Sequence, residues 1–302
     1  MDSQPDPAAM PLVYIVMLNW NDASNSLACL ESIARLEYSN IRVVVVDNGS
    51  SDGSDGEIRR RFPHLHLIVN VRNLGFAGGV NVGLEYAFRQ GAKYLLLVNN
   101  DTLLDPHMLS EMVKEAESHP KAGLFTPKIY YFDDPSLIWS AGARWVRFPP
   151  RAVMIGLRQR DHAKYDVLRR VDFATGCVLM INRKIIEEVG YFDTTYFPIY
   201  HEDYDYCARV NEAGWEIWYV PAAKVWHKDA QSQRGSGTKS YNMGMNIVPF
   251  YLRHGHPPRL TLGLFVAWAV LREVVKGNLA FVRPYLSGVR AGIIRERKAV
   301  SN

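Results

Sequence analysis

The chain has 302 residues, 48% of them hydrophobic and 22% charged, a balance that excludes a disordered protein and allows one large domain or two smaller ones. Its formal net charge of +4 is too small to argue for nucleic acid. Cys29, Cys177 and Cys207 are odd in number, widely spaced and without a CxxC pair, which argues against a disulfide framework or zinc site and fits reduced thiols of a cytoplasmic protein.

Met1 to Pro11 is polar and proline-rich, lacks the basic and apolar regions of a signal peptide, and reads as a disordered tail. Leu12 to Leu18 reads as a first strand ending at Asn19-Trp20-Asn21-Asp22, and Leu27, Leu30, Ile33 and Ala34 follow at helical spacing. Val43 to Val46 is a second strand, closed by the polar run from Asp47 to Ser54. A basic helix, Glu57 to Arg61, leads to a third strand, His66 to Val69. Gly78 to Arg89 predicts another helix and Tyr94 to Val98 a fourth strand. This alternation predicts an α/β fold with a doubly wound, mostly parallel sheet, and the four-valine run fits a strand covered on both faces.

After Pro120 short strands are expected at Gly123 to Thr126, Leu137 to Ala141 and Ala143 to Phe148, then a charged loop from Arg151 to Arg170. Val178 to Ile181 is apolar again and precedes a short helix, Arg183 to Val189. His201 to Ala213 reads as a helix stopped by Gly214, with a strand, Glu216 to Val220, behind it. Asp229 to Lys239, containing Arg234-Gly235-Ser236-Gly237, is the most flexible-looking interior stretch. Leu260 to Leu271 is almost wholly apolar and Leu279 to Val282 repeats the pattern, while nine basic residues from Arg253 to Lys298 stand against only Glu273 and Glu296. Such amphipathic helices either lie in a membrane interface or pack on the rest of the chain or on a second copy of it. No uninterrupted apolar run reaches the ~18 residues that a spanning helix needs.

The strand ends carry the chemistry. In open α/β sheets ligands sit beyond the C-terminal edge of the strands, where Asn99-Asn100-Asp101 would lie. An aspartate there can hold a divalent cation and, through it, a diphosphate; the same triplet also fits an Asx-rich turn before the helix after Pro106. Asp47 at the neighbouring strand end can hydrogen-bond a ribose or base, or be a plain turn residue beside Gly49. Asn73-Leu74-Gly75-Phe76-Ala77-Gly78-Gly79-Val80-Asn81 opens a helix whose N-terminal N–H groups can approach an anion, although it is not GxGxxG. Glu202 and Asp203 begin a helix, where acids suit the macrodipole; successive helical positions diverge by ~100°, so at most one is expected to act as a base. His227 ends an apolar segment, where a lone histidine is either structural or a ligand.

Taken in order, Asp47-Asn-Gly-Ser-Ser-Asp-Gly, Asn73-x-Gly-Phe-Ala-Gly-Gly-x-Asn81, Asn99-Asn-Asp101, Thr175-Gly-Cys, Glu202-Asp203-x-Asp and Trp226-His227 resemble the motifs of a family 2 inverting glycosyltransferase of the GT-A fold, in its rhamnosyltransferase-like branch. The resemblance runs from about Leu12 to His227 and implies a GT-A domain over residues 12–230, with residues 231–302 as a flexible lid and a C-terminal helical extension. It implies that Asp47 contacts the nucleoside and that Asn19, Asn73, Gly75, Gly78, Asn81, Asn100, Asp101 and Gly176 surround the donor. Asn99 to Asp101 takes the place of the family's DxD, so Asp101 is expected to bind Mg²⁺ or Mn²⁺ with Asn99 as a neutral ligand and His227 as a further one. Asp203 matches the general base, and Glu202 is expected to orient the acceptor.

An inverting transfer is one in-line displacement and needs a base and an activated leaving group, which Asp203, the cation and the helix N-terminus near Gly78 would supply. The resemblance favours a dTDP-rhamnose donor, with UDP-sugars as the other option, and a polysaccharide or lipid-linked acceptor at the inner membrane face. A sugar-1-phosphate nucleotidyltransferase or a non-catalytic sugar-nucleotide-binding protein are the competing readings. Against the first, the first strand leads into Asn19-Trp20-Asn21-Asp22 and not into a glycine-rich basic loop.

Overall fold

A computed structural model of the protein describes residues 10–228 and 236–301. The first half follows the expected alternation: β1 (Val13–Asn19), α1 (Ala23–Ile33), β2 (Ile41–Asp47), α2 (Ser54–Arg61), β3 (His66–Val69), α3 (Gly75–Arg89) and β4 (Tyr94–Asn99). The pairs β1–β2, β1–β4 and β2–β3 are all parallel. Side chains alternate along these strands, so each strand feeds two core layers. Val16, Val44, Leu95 and Leu97 pack with Val80, Leu84 and Ala87 of α3. Ile15, Met17, Val45, Leu96 and Val98 join Cys29, Leu30 and Ile33 of α1 on the opposite face. Asp22 starts α1 by accepting the Asn25 backbone N–H.

The second half is richer in strands than its sequence suggests. It runs β5 (Thr102–Leu104), α4 (Met108–Ser118), β6 (Ala122–Tyr131), β7 (Leu137–Ser140), β8 (Ala143–Arg147), β9 (Pro150–Met154), β10 (Gln159–Arg160), β11 (Arg169–Val171), β12 (Val178–Asn182), α5 (Arg183–Glu188), α6 (Glu202–Glu212) and β13 (Glu216–His227). Strand β12 inserts antiparallel between β4 and β6, giving the order β10-β7-β6-β12-β4-β1-β2-β3. Strand β13 runs parallel to β6 and antiparallel to β5, while β8 and β9 form a separate hairpin.

The stretch from Arg151 to Arg170, expected to be a loop, therefore contributes to three strands. Its charges are used internally: the Lys128 ammonium, 1% exposed within β6, lies 3.0 Å from both Asp161 carboxylate oxygens and 2.5 Å from Asp166 Oδ1. Strand β13 outruns its expected end at Val220 because a register shift between Val220 and Lys224 absorbs Pro221 to Ala223.

Three helices complete the chain: α7 (Ser236–His254), α8 (Pro258–Val275) and α9 (Leu279–Ser301). The 229–239 stretch expected to be flexible is helical from Ser236; its residues 229–235, like the tail at 1–9, lie outside the described residues. Helices α7 and α9 approach backbone to backbone, so a Cβ on Gly288 would come within 2.0 Å of the Tyr241 carbonyl oxygen and one on Gly244 within 2.1 Å of that of Tyr285. Helix α8 packs on β9, where the Arg151 guanidinium lies 4.5 Å from the Trp268 ring centre. Among the described residues no helix is long and apolar enough to cross a membrane.

Candidate functional site

A cavity of about 390 Å³ opens at the C-terminal end of β4. Asn99 and Asp101 enter it from β4 and the turn behind it, Gly176 and Cys177 from the approach to β12, Glu202 and Asp203 from the start of α6, and His227 from the end of β13. Phe76 of α3, Met154 of β9, and Lys239 and Met243 of α7 also stand on its wall. Burying a polar atom without a partner is costly, so such atoms are rare in folded proteins. Among the described residues Asp101 Oδ1, His201 Nδ1, Glu202 Oε2 and His227 Nδ1 are buried and unpaired, and all four residues line this cavity.

The β5–β13 ladder sets Thr102 opposite His227 and so brings the histidine beside Asp101. His227 Nε2 lies 3.3 Å from Asp101 Oδ2, and the imidazole meets the Trp139 ring edge to face at 4.5 Å. Burial disfavours the imidazolium, but the Cys177 thiol and the Asp101 carboxylate outweigh it and push the His227 pKa up to about 11.

The acids are presented by an unusual turn. Tyr200 and His201 are consecutive non-glycine residues with φ of +86° and +75°, a left-handed conformation that L-residues rarely adopt, and α6 begins at the next residue. Asp203 Oδ2 accepts the Gly176 N–H at 3.2 Å and Oδ1 accepts the Tyr204 N–H at 2.8 Å. Burial raises the Asp203 pKa despite these bonds. Glu202 is 4% exposed; burial first, then the charge of Asp203, holds its carboxyl well above the usual range. One proton is therefore retained on the pair more readily than on isolated acids. Both acids line the cavity, Glu202 at the first helical position directly after the left-handed pair and Asp203 at the second. Burial pushes His201 down to about 4, leaving it neutral.

Several residues expected around the donor also hydrogen-bond within the protein. Asn19 is fully buried; its Nδ2 donates to Asp47 Oδ1 at 2.7 Å and to Ser54 Oγ at 2.8 Å, and its Oδ1 accepts from Ser26 Oγ at 2.6 Å. Asp47 is 1% exposed and also accepts the Ser50 N–H and hydroxyl. These two side chains close the ends of β1 and β2 upon each other, and the Trp20 indole beside them is exposed. Asn73 Oδ1 accepts the Gly75 N–H at 2.7 Å and an Asn48 amide N–H at 3.1 Å. Asn81 exchanges two hydrogen bonds with the backbone of Phe192, and Asn100 donates to Ser26 Oγ at 3.0 Å.

Helix α3 starts at Gly75, not at Gly78. Gly75 needs its φ of +74°, and its N–H and that of Phe76 go to Asn73 and to the Pro198 carbonyl. Gly78 sits one turn in, where a Cβ would press on Leu74. The helix N-terminus expected to face the leaving group thus has its first amides already paired. Conversely, Lys239 and His201 also line the cavity and were not expected; they arrive only through the docking of α7 and the turn before α6.

Beyond this cavity, a second, larger groove of about 1220 Å³ runs between α8 and α9. Leu262, Val266, Val270, Val289 and Ile293 line it, with Arg259 and Arg297 also on its wall.

The family model described as Glycosyl transferase family 2 matches residues 14–190. N-acetylglucosaminyl-diphospho-decaprenol L-rhamnosyltransferase of Mycobacterium tuberculosis is 28% identical over 94% of this chain and 95% of its own. Low-salt glycan biosynthesis hexosyltransferase Agl10 of Haloferax volcanii is 23% identical over 83% of this chain and 82% of its own. The fold is similar to that of mannosyltransferase PcManGT from Pyrobaculum calidifontis, solved in complex with GDP-Man and Mn²⁺. The TM-score is 0.58 at 19% identity, covering 97% of this chain and 78% of that one.

Proposed function

The chain belongs to glycosyl transferase family 2, and we propose that its cavity moves a sugar, with inversion, from a nucleoside diphosphate to a hydroxyl of a lipid-linked saccharide. That it is a glycosyltransferase of the GT-A fold follows from the family and its relatives. The nucleotidyltransferase reading falls with that membership. The observation that carries the proposed site is the set of four unpaired buried polar atoms around one cavity.

Asp203 is the base. Held by the Gly176 and Tyr204 N–H groups, it accepts the proton of the acceptor hydroxyl as the new O–C1 bond forms. The bond from C1 to the β-phosphate oxygen breaks on the opposite face, and the nucleoside diphosphate leaves with the electron pair. Glu202, kept protonated by burial, orients the acceptor by hydrogen bonding. Lys239 adds positive charge to the wall.

Asp101 Oδ1 suits a divalent cation, Mg²⁺ or Mn²⁺, because carboxylate oxygen is an ordinary ligand of both, and the His227 imidazole would favour Mn²⁺ over the oxygen-seeking Mg²⁺; each residue has a buried unpaired atom here. Among the described residues no three acids, histidines or cysteines gather into a full cage. Asn99, water and the donor's own phosphates would complete the shell. When bound, the cation offsets charge growing on the departing diphosphate. The Trp20 indole offers the nucleobase a flat surface at the end of β1.

The Mycobacterium tuberculosis relative is named for an L-rhamnosyl transfer to a diphospho-decaprenol acceptor. Rhamnose and a polyprenyl diphosphate saccharide are accordingly the sugar and acceptor we assign. The apolar groove between α8 and α9 and the exposed Leu271, Val275 and Leu279 beside Arg272, Lys276 and Arg283 support a resting place for α8 and α9 on an anionic lipid surface at the cytoplasmic face. A screen of nucleotide sugars, scored by released nucleoside diphosphate with and without EDTA, tests the reading. Turnover with dTDP-rhamnose, greater with a polyprenyl diphosphate saccharide than with a soluble glycan, is expected. Release of pyrophosphate, or no turnover with any donor, would sink it.

A further inference from the structure

We propose that Asn246 of α7, fixed in orientation by Arg295 of α9, is a positioning residue that holds Asp203 in place for transfer. This rests on the assignment of Asp203 as the base. Asn246 is fully buried, and its Nδ2 lies 2.7 Å from the Tyr196 carbonyl oxygen, 3.0 Å from that of Ile199 and 3.5 Å from that of Phe197. One amide thus gathers three carbonyls from the segment that leads into the left-handed pair Tyr200–His201 and the acids behind it.

An asparagine amide can be turned over, presenting oxygen where nitrogen was. Carbonyls only accept and a guanidinium only donates, so the surroundings must choose the orientation. Arg295 makes that choice: both of its Nη atoms lie 3.3 Å from Asn246 Oδ1, which turns the Nδ2 end toward the three carbonyls.

The far side of the turn is anchored by the same helix. Tyr196 gives its hydroxyl to Asp205 Oδ1 at 3.0 Å, and His254, near the C-terminal end of α7, lies 3.0 Å from that oxygen through Nε2. Asp205 is two residues past Asp203 on α6. Helix α7 therefore holds the acids from both sides, through Asn246 before the left-handed pair and His254 after it. A backbone kept in an unfavourable region persists only where its surroundings over-determine it. Without Asn246 the segment relaxes and Asp203 moves, and a shift of about 1 Å in a catalytic group can cost roughly 100-fold in rate.

The test is steady-state kinetics on the full chain with donor binding measured separately by calorimetry with the nucleoside diphosphate. Asn246→Ala is expected to lower kcat about 100-fold with donor affinity nearly unchanged. Asn246→Asp, which keeps the pairing with Arg295 but sets lone pairs against the carbonyls, is expected to fall at least as far. Arg295→Gln leaves the amide but frees it to turn; the Arg295 side chain is 31% exposed, so this variant remains foldable should Asn246→Ala unfold. It is expected to lose kcat by about 10-fold, again without loss of nucleotide binding. Wild-type kcat in a folded Asn246→Ala or in Arg295→Gln, with Asp203→Asn inactive, overturns the proposal. An active Asp203→Asn overturns the base assignment beneath it instead.

Discussion

His227 Nε2 and Asp101 Oδ2 lie 3.3 Å apart across the β5–β13 ladder, each residue keeping a second polar atom buried and unpaired. Two groups so placed should act as one cation site. Asp101→Asn is expected to abolish metal-stimulated turnover, and His227→Ala to raise the Mn²⁺ concentration for half-maximal activity by about 10-fold or more. Because His227 holds its proton up to about 11, the cation must displace it, so the Mn²⁺ requirement should rise as pH falls. Metal titrations of activity at two pH values check both points; a pH-independent requirement would count against His227 as a ligand.

Asp203→Asn should lower kcat by about 10²–10⁴ while leaving the melting temperature close to that of the parent chain. In the parent, burial raises the Asp203 pKa, and the base works only when ionised. Activity should therefore be full above that raised pKa and be lost as pH falls through it.

Glu202→Gln separates stability from activity. The folded chain holds the Glu202 proton well above the usual carboxylate range, whereas the unfolded chain releases it at an ordinary pKa. The group's contribution to stability is thus complete at acid pH and is lost as pH rises toward the folded pKa. Glutamine mimics the protonated acid, so Glu202→Gln should melt higher than the parent at pH 8 and show no such gain at pH 4. Thermal melts at the two pH values decide it.

Trp20→Ala should raise the donor KM about 10-fold, within the range of one aromatic–base stacking contact. Trp20 is 53% exposed, so the fold should not register its loss. An unchanged KM would place the nucleobase elsewhere.

Two helical glycines make opposite predictions. Gly288→Ala places a Cβ about 2.0 Å from the Tyr241 carbonyl oxygen and must push α7 and α9 apart, at a cost of about 1–3 kcal/mol. Nothing lies within 4 Å of a Cβ on Gly263, so Gly263→Ala should stabilise α8, by up to about 1 kcal/mol. Denaturant titration of both variants reads the difference.

What could be read from sequence follows from how far apart the partners lie. Strands β1, β2 and β4 are local, largely buried on both faces and written as apolar runs, so Val43 to Val46 and Tyr94 to Val98 announce themselves. Strand β6 is expected only as far as Thr126 because Lys128 looks like a break, until Asp161 and Asp166, more than thirty residues away, neutralise it. At the site, Asp101, Gly176, Glu202, Asp203 and His227 carry motifs and do converge. Asn19, Asp47 and Asn81 carry motifs equally well and hydrogen-bond to Ser26, Ser50 and Phe192, partners that the motifs do not announce. Lys239 and Asn246 left no trace because their role depends on how α7 docks.

The Arg295–Asn246 contact also orders events during synthesis. Domains fold as the chain emerges, N-terminal parts first. Residues 13–227 carry every strand among the described residues and the helices α1 and α3 that pack on the two faces of β1 and β4, so the sheet can assemble while α9 is still being made. The segment before Glu202 at that stage lacks the α9 guanidinium that orients the α7 amide. A nascent chain would already own its sheet and the acids at the start of α6, and on the proposal above would transfer sugar below its full rate until α9 settled against α7.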